Sequence, residues 1–288
     1  MIRTKLKDRV LPQYTKGEEI FNMTSHIVGG SLGVIALILC IIFAALHNNI
    51  YGIISGTIFG ITMILLYTMS SIYHGLNPKR YSKKVFQVLD HCSIFLLIAG
   101  SYTPFTLCSI RQQDPKAGWT IFAIIWLMAI IGIVLNSIDI KKFKIFSMVC
   151  YLAMGWCIIL KANILPGLLG KNGLILLVTG GILYTIGAVL YGFGKKHKYM
   201  HSIFHLFIVA GSLAHTLCIL LYVMWAIGDV SNWGRVPIAQ ILTSNFCRIL
   251  TNEISWKIGK FIVKYNYSIF DNCVLLIFYS LLCISYIR

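Results

Sequence analysis

The sequence predicts an all-α membrane protein: a seven-transmembrane-helix bundle with a cytoplasmic N-terminus and an extra hydrophobic segment near the C-terminus. Three observations predict it. Of the 288 residues, 58% are hydrophobic and only 12% charged, with a mean hydropathy of +0.80, a balance that requires lipid as solvent. No Asp, Glu, Lys or Arg falls between Glu19 and Lys79, a run long enough for two helices of about 20 residues, each crossing about 30 Å of hydrocarbon. The lysines and arginines that do occur are gathered in alternate connections between apolar runs.

Residues 1–19 form a basic arm. The apolar run that follows is longer than a signal-peptide core and lacks an Ala-x-Ala cleavage pattern, so the arm is expected to be retained. The transmembrane domain is expected over 20–227, with spans at Ile20–Leu46, Ile50–His74, Val88–Ser109, Gly118–Ser137, Ile145–Leu160, Gly173–Gly194 and Met200–Ile227. Helix is the state that satisfies its own backbone hydrogen bonds in lipid, and the alternation of a β-barrel strand is absent. In the first two spans, Gly29 and Gly33, then Gly52, Gly56 and Gly60, form small-x-x-x-small ladders suited to close helix packing. Pro104 is expected to kink the third span or end it. The fifth span is the shortest. Beyond it all, 228–288 is a basic extension whose apolar run Ile269–Ile287 is long enough for an eighth helix.

Orientation follows from charge. The arm, Lys79–Lys84, Lys141–Lys144 and Lys195–Lys198 together hold fifteen Lys and Arg, while the alternate loops hold four. The positive-inside rule places the arm in the cytoplasm and the protein as a multi-pass component of the cell membrane. The formal charge of +16 is spread through these clusters without an aromatic-interleaved basic patch, which points to anionic lipid headgroups and not to nucleic acid. The nine cysteines form no C-x-x-C pair and are expected mainly as buried soft hydrophobes.

Ionisable residues inside membrane spans are costly, so each is a functional candidate. His201 and His205 stand at i and i+4 on one helical face, within reach of a single metal ion. The topology brings two further groups to the same depth: His74 at the cytoplasmic end of the second span and Asp90 at the cytoplasmic start of the third. Three neutral imidazoles with an open fourth position is the arrangement of a catalytic Zn²⁺ site. Ser70 lies one turn from His74 on the same face, placed to orient a metal-bound water or to bond back to its own helix. Asp90 needs a metal water, Lys or Arg to offset its burial. His215 is about 15 Å along the helix from His205, too far to share its ion, and is expected either to support the site from behind or to pack. His26 is expected to join the cytoplasmic polar cluster, and His91 and His197 to sit solvated at the interface.

These residues carry a family likeness. Ser70-Ser71-Ile72-Tyr73-His74, Leu89-Asp90, and His201-Ser202-Ile203-Phe204-His205 with Ala210-Gly211 and His215 resemble the signatures of the hemolysin III branch of the progestin and adipoQ receptor family. Gly17-Glu18-Glu19-Ile20-Phe21-Asn22 with Thr24-Ser25-His26 is similar to the opening motif of its bacterial members. The resemblance spans about Gly17 to Trp225. It implies a heptahelical fold, a cytoplasmic-side zinc on three histidines, kinship with membrane ceramidases, and the lipid-amide hydrolysis of characterised receptors. Metal would then fall to His74, His201 and His205, with Asp90 and Ser70 as catalytic groups and a membrane lipid as substrate or ligand. A non-catalytic protein affecting bilayer properties or cytolysis, and a lipid receptor, remain alternatives. A zincin protease is excluded, since no H-E-x-x-H occurs.

Overall fold

The structure, a computed structural model, describes residues 4–193 and 198–224. Among them are seven helices long and apolar enough to cross a membrane, and the described residues form a seven-helix membrane bundle. The helices are α1 (Lys16–Leu46), α2 (Ile50–Gly75), α3 (Tyr81–Pro104), α4 (Pro115–Asp139), α5 (Lys144–Trp156), α6 (Leu165–Phe193) and α7 (Met200–Cys218). The basic stretch from 228, the apolar run at 269–287 and His197 lie outside the described residues.

Local chemistry sets the ends of these elements. Thr15 caps α1 in a capping box: its hydroxyl accepts from the Glu18 N–H, and the Glu18 carboxylate accepts from the Thr15 N–H at 2.8 Å, satisfying two orphan donors at once. Asn49 caps α2 by accepting from the Gly52 N–H, and Asp114 caps α4 by accepting from the Ala117 N–H, both at 2.9 Å. α3 begins seven residues before the expected Val88, because Lys83 can be buried there. Its ammonium reaches Glu19 at 2.7 Å and the Leu76 carbonyl at 2.9 Å, so the charge that marks the apolar boundary does not end the helix.

The glycine ladders pack α1 on α2. A Cβ at Gly56 would stand 2.6 Å from Cys40 Cβ, and one at Gly60 2.5 Å from Leu37 Cβ. Pro104 ends the regular part of α3, but the chain stays helical through a π-turn at Phe105–Ile110. Threonine hydroxyls brace the change: Thr103 donates to the Ala99 carbonyl at 2.8 Å and Thr106 to Tyr102 at 3.0 Å. α7 likewise passes into a π-turn at Ile219–Met224. α6 starts earlier than the expected Gly173 and changes direction at Gly170, whose φ of 64° suits glycine.

The span Tyr81–Gln113, made of α3 and the turns that follow it, is central, with 83% of its most apolar stretch buried inside the bundle, against 28% for α1 and α4. Polar bridges tie it to its neighbours. The Tyr151 hydroxyl donates to the His91 carbonyl at 2.9 Å, and Ser147 donates to Asn136 at 2.7 Å, joining α3, α4 and α5. On the other side the Tyr67 hydroxyl lies 2.6 Å from Ser212 Oγ, which is 2.7 Å from the Tyr184 hydroxyl, joining α2, α7 and α6.

Candidate metal centre

Two helix starts and one helix end meet at the arm end of the bundle. The second oxygen of the Glu18 carboxylate accepts from the Tyr199 N–H at 2.7 Å, so the residue that caps α1 also receives the backbone leading into α7. Tyr199 itself adopts φ 59°, and its hydroxyl approaches Gly17, where a Cβ would stand 2.8 Å away. This junction fixes the first turns of α7, and with them His201 and His205, beside α1 and the end of α2.

His74, His201 and His205 come together there, one ring nitrogen from each lying within 4.8 Å of the others. His201 Nε2 is 2.9 Å from His205 Nε2. Nitrogens bound to a tetrahedral zinc at 2.0–2.1 Å stand about 3.3 Å apart, close to this spacing. The distal nitrogens are held by the protein. His74 Nδ1 is 2.7 Å from Glu19 Oε2, and the Glu19 carboxylate is in turn paired with Lys83. Asn22 Nδ2 is farther from the same nitrogen, at 3.5 Å, so Nδ1 is assigned as donor to the carboxylate and Nε2 keeps its lone pair. His205 Nδ1 meets His26 Nε2 in a short contact. A carboxylate or other partner behind a ligating imidazole fixes the tautomer and raises its basicity.

Two buried atoms test whether a metal fits. His74 Nε2 and Ser70 Oγ have no hydrogen-bond partner among the described residues, although Ser70 is completely buried and His74 is 2% exposed. Ser70 therefore does not bond back to its helix. A bare, buried imidazole nitrogen beside two further imidazoles forms a donor set that suits Zn²⁺, with the orphaned Ser70 hydroxyl one turn away on α2.

Asp90 lies on α3, 8% exposed, and lines a cavity of about 140 Å³ together with His201, His91 and Tyr191. It is not among the clustered ligand atoms. Its Oδ2 is 3.6 Å from His91 Nδ1. From this polar end the cavity runs between α3, α5, α6 and α7 past Leu97 and Leu152 to Trp156. His215, near that deep end, has its Nε2 3.1 Å from the Leu177 carbonyl, while its buried Nδ1 has no partner among the described residues.

His91 departs from the solvated reading. Its side chain is 18% exposed, its Nδ1 is 2.9 Å from the Gln87 carbonyl, and its Nε2 is 3.2 Å from the Tyr191 hydroxyl. Tyr14 of the arm also belongs to the site: its ring stacks on His201 with centroids 5.0 Å apart and planes at 20°. Burial pushes the Tyr14 phenol well above its usual range, helped by the nearby Tyr191, Asp90 and Glu19, so the hydroxyl stays protonated. Nothing in the charged arm marks Tyr14 in sequence. Glu19 and His26 carry a signal: with Asn22, Gly29 and Gly33 they follow a three-four spacing along one face of α1, and the last four are buried.

Comparison with known proteins decides the family. The profile described as "Haemolysin-III related" matches residues 14–216. The chain belongs to that family. "Hemolysin-3" of Bacillus cereus is 40% identical over 214 residues, covering 74% of this chain and 95% of that protein. "Hemolysin-3 homolog" of Bacillus subtilis (strain 168) is 39% identical over 209 residues, covering 73% and 96%. The human "Monocyte to macrophage differentiation factor" is 27% identical over 181 residues, covering 62% and 74%, which sets the haemolysin III branch within the progestin and adipoQ receptor superfamily. The matched residues include the arm-end site: Tyr14, Glu19, Ser70, His74, Asp90, His201 and His205 all fall inside 14–216.

Proposed function

We propose that the protein is a zinc-dependent hydrolase of the cell membrane that cleaves an amide in a membrane lipid, with its arm in the cytoplasm. The observation that carries this reading is the bare, buried His74 Nε2 facing His201 and His205 beside an apolar cavity that Asp90 also lines. His74, His201 and His205 would hold the metal, and Zn²⁺ bound there would supply Lewis acidity towards a carbonyl and acidify water. The chain's own groups do the rest. The apolar cavity takes the acyl chain and keeps bulk water from the reacting amide. Water adds to the amide carbonyl carbon, and Asp90 accepts its proton. As the C–N bond breaks, Asp90 returns that proton to the leaving nitrogen, giving a carboxylic acid and an amine. Ser70, with no partner for its hydroxyl among the described residues, holds the attacking water in place.

The test is release of fatty acid from defined lipid amides by the detergent-purified protein, with and without chelator. Chelator-sensitive release restored by zinc supports the reading. Metal retention without cleavage of any lipid amide would favour the second reading, a non-catalytic membrane protein that perturbs bilayers. That alternative is suggested by the name hemolysin-3 of the Bacillus relatives. Orientation is tested separately: single cysteines at Lys84 or Lys142 on a cysteine-free background should resist impermeant thiol reagents in intact cells.

A further inference from the structure

The basic arm lies across the end of the bundle. The Thr4 N–H donates to Asp139 Oδ2 at 2.9 Å, the Lys84 ammonium donates to the Lys7 carbonyl, and Arg9 Nη2 donates to the Ile138 carbonyl at 3.1 Å. These bonds tie the segment to the first turn of α3 and the last turn of α4. Leu11 is buried beyond them, and Tyr14 ends the crossing with its ring centre 5.0 Å from that of His201 and 5.7 Å from that of His74. From Thr15 onward the capping box of α1 fixes the chain. Residues 4–14 are therefore a strap whose final residue covers two of the three clustered histidines.

Two terms oppose this docking. The strap, with Lys5 and Lys7 exposed, rests against Lys84 and beside the exposed Lys141 and Lys142, whose backbone N–H groups bond its partner Asp139. A basic segment thus lies on a basic face, where like charges repel. Arg9 supplies the second term. Nη2 has a carbonyl at the end of α4, where the helix dipole favours a cation. Nε and Nη1, however, are buried without a partner, and Arg9 forms no ion pair among the described residues. A guanidinium only 9% exposed, with one neutral acceptor and two orphaned donors, is costly. A phosphate diester accepts from two guanidinium N–H groups at once, and the headgroup layer presents such phosphates around juxtamembrane lysines.

We infer that residues 4–14 are a strap that closes the metal centre, and that anionic phospholipid headgroups open it by drawing Arg9 from its place beside α4. Arg9 is the latch and the lipid-binding residue, and Tyr14 is the part that shields the histidines. The strap and its lipid response do not depend on the hydrolase reading. Its effect on metal exchange rests on the metal site proposed above.

Two measurements on the full-length protein test it, each in nanodiscs of phosphatidylcholine or of phosphatidylglycerol. In the first, nitroxides at Val10→Cys and Ile50→Cys, both exposed positions, report the strap by pulsed dipolar spectroscopy on a cysteine-free background. One distance is expected in phosphatidylcholine, and in phosphatidylglycerol a second population longer by about 10 Å, within the reach of the chain between Val10 and Thr15. Arg9→Leu removes the buried charge and should keep the strap closed in both lipids. The second measurement keeps the native cysteines and follows zinc loss to a chelator. Wild type should lose zinc about 5-fold faster or more in phosphatidylglycerol, the low end of a coupling between two sites, and Arg9→Leu at the same rate in both. A wild-type strap with one distance in both lipids, or an Arg9→Leu strap that opens as wild type does, would overturn the inference. Zinc loss indifferent to lipid while the strap opens would overturn the shielding by Tyr14. If the protein holds no zinc, the metal reading fails by itself and the distances alone decide on the strap.

Discussion

At the end of the bundle away from the arm, most buried and half-buried polar groups have partners, His215 Nδ1 being an exception among the described residues. Ser55 Oγ lies 3.2 Å from Cys108 Sγ and donates to the Gly52 carbonyl, Asn49 caps α2, and Arg111 donates to the Leu107 carbonyl while stacking over Tyr51 at 3.6 Å. At the arm end the opposite holds. Asn22 Oδ1, His26 Nδ1, Ser70 Oγ, Tyr73 Oη, His74 Nε2 and Ser202 Oγ are all buried and lack partners among the described residues. Each such atom costs about 1–3 kcal/mol. Among the described residues, unpartnered buried polar atoms are concentrated at the arm end. On the proposed function, polar burial separates a part built for stability from the part that would hold the metal.

Substitutions at the two ends should therefore differ in kind. The largest effect is expected from His205→Ala, which should lose both zinc and lipid-amide hydrolysis to background, while Ser55→Ala at the far end keeps both; metal analysis and fatty-acid release on the same preparations make the comparison. Asp90→Asn should keep its zinc and lower turnover by about 10²–10⁴-fold, the range for a lost general acid–base. Wild-type turnover in that variant would remove Asp90 from the mechanism. Glu19→Gln weakens the group behind His74 without touching a ligand, so its zinc affinity should fall about 10–100-fold in competition with a chromogenic chelator. The smallest effect belongs to the far end, where Asn49→Ala removes a helix cap and should lower stability in detergent by about 1 kcal/mol with zinc content unchanged. A metal loss there would erase the distinction between the ends.

Much of this was legible in the sequence because lipid imposes few solutions. An apolar run in a bilayer must be a helix, so the spans follow from composition, and the i, i+4 spacing of His201 and His205 declares a shared face before any packing is known. His74 joins them through topology alone, since alternate helices reverse direction and bring distant residues to one end. The π-turn after Pro104 was not legible, because the choice between ending and rewinding a helix depends on where Thr103 and Thr106 find carbonyls. Glu19 and Tyr14 were missed as parts of the site for a related reason. Glu19 reads as the last charge before a membrane span, and only the return of α3 with Lys83 shows why its carboxylate is held against His74. Tyr14 lies in a segment whose composition describes a solvated arm, and its stacking on His201 depends on the Glu18 junction that joins α1 to α7.

The central claim is that the arm-end histidines bind zinc, and X-ray absorption at the zinc edge of the purified full-length protein tests it most directly. The account predicts about one zinc per chain with three imidazole nitrogens and one oxygen at about 2.0–2.1 Å, a signal lost in His74→Ala and His205→Ala and retained in Asp90→Asn. Scattering from sulfur at about 2.3 Å, or zinc content indifferent to both histidine substitutions, would contradict it.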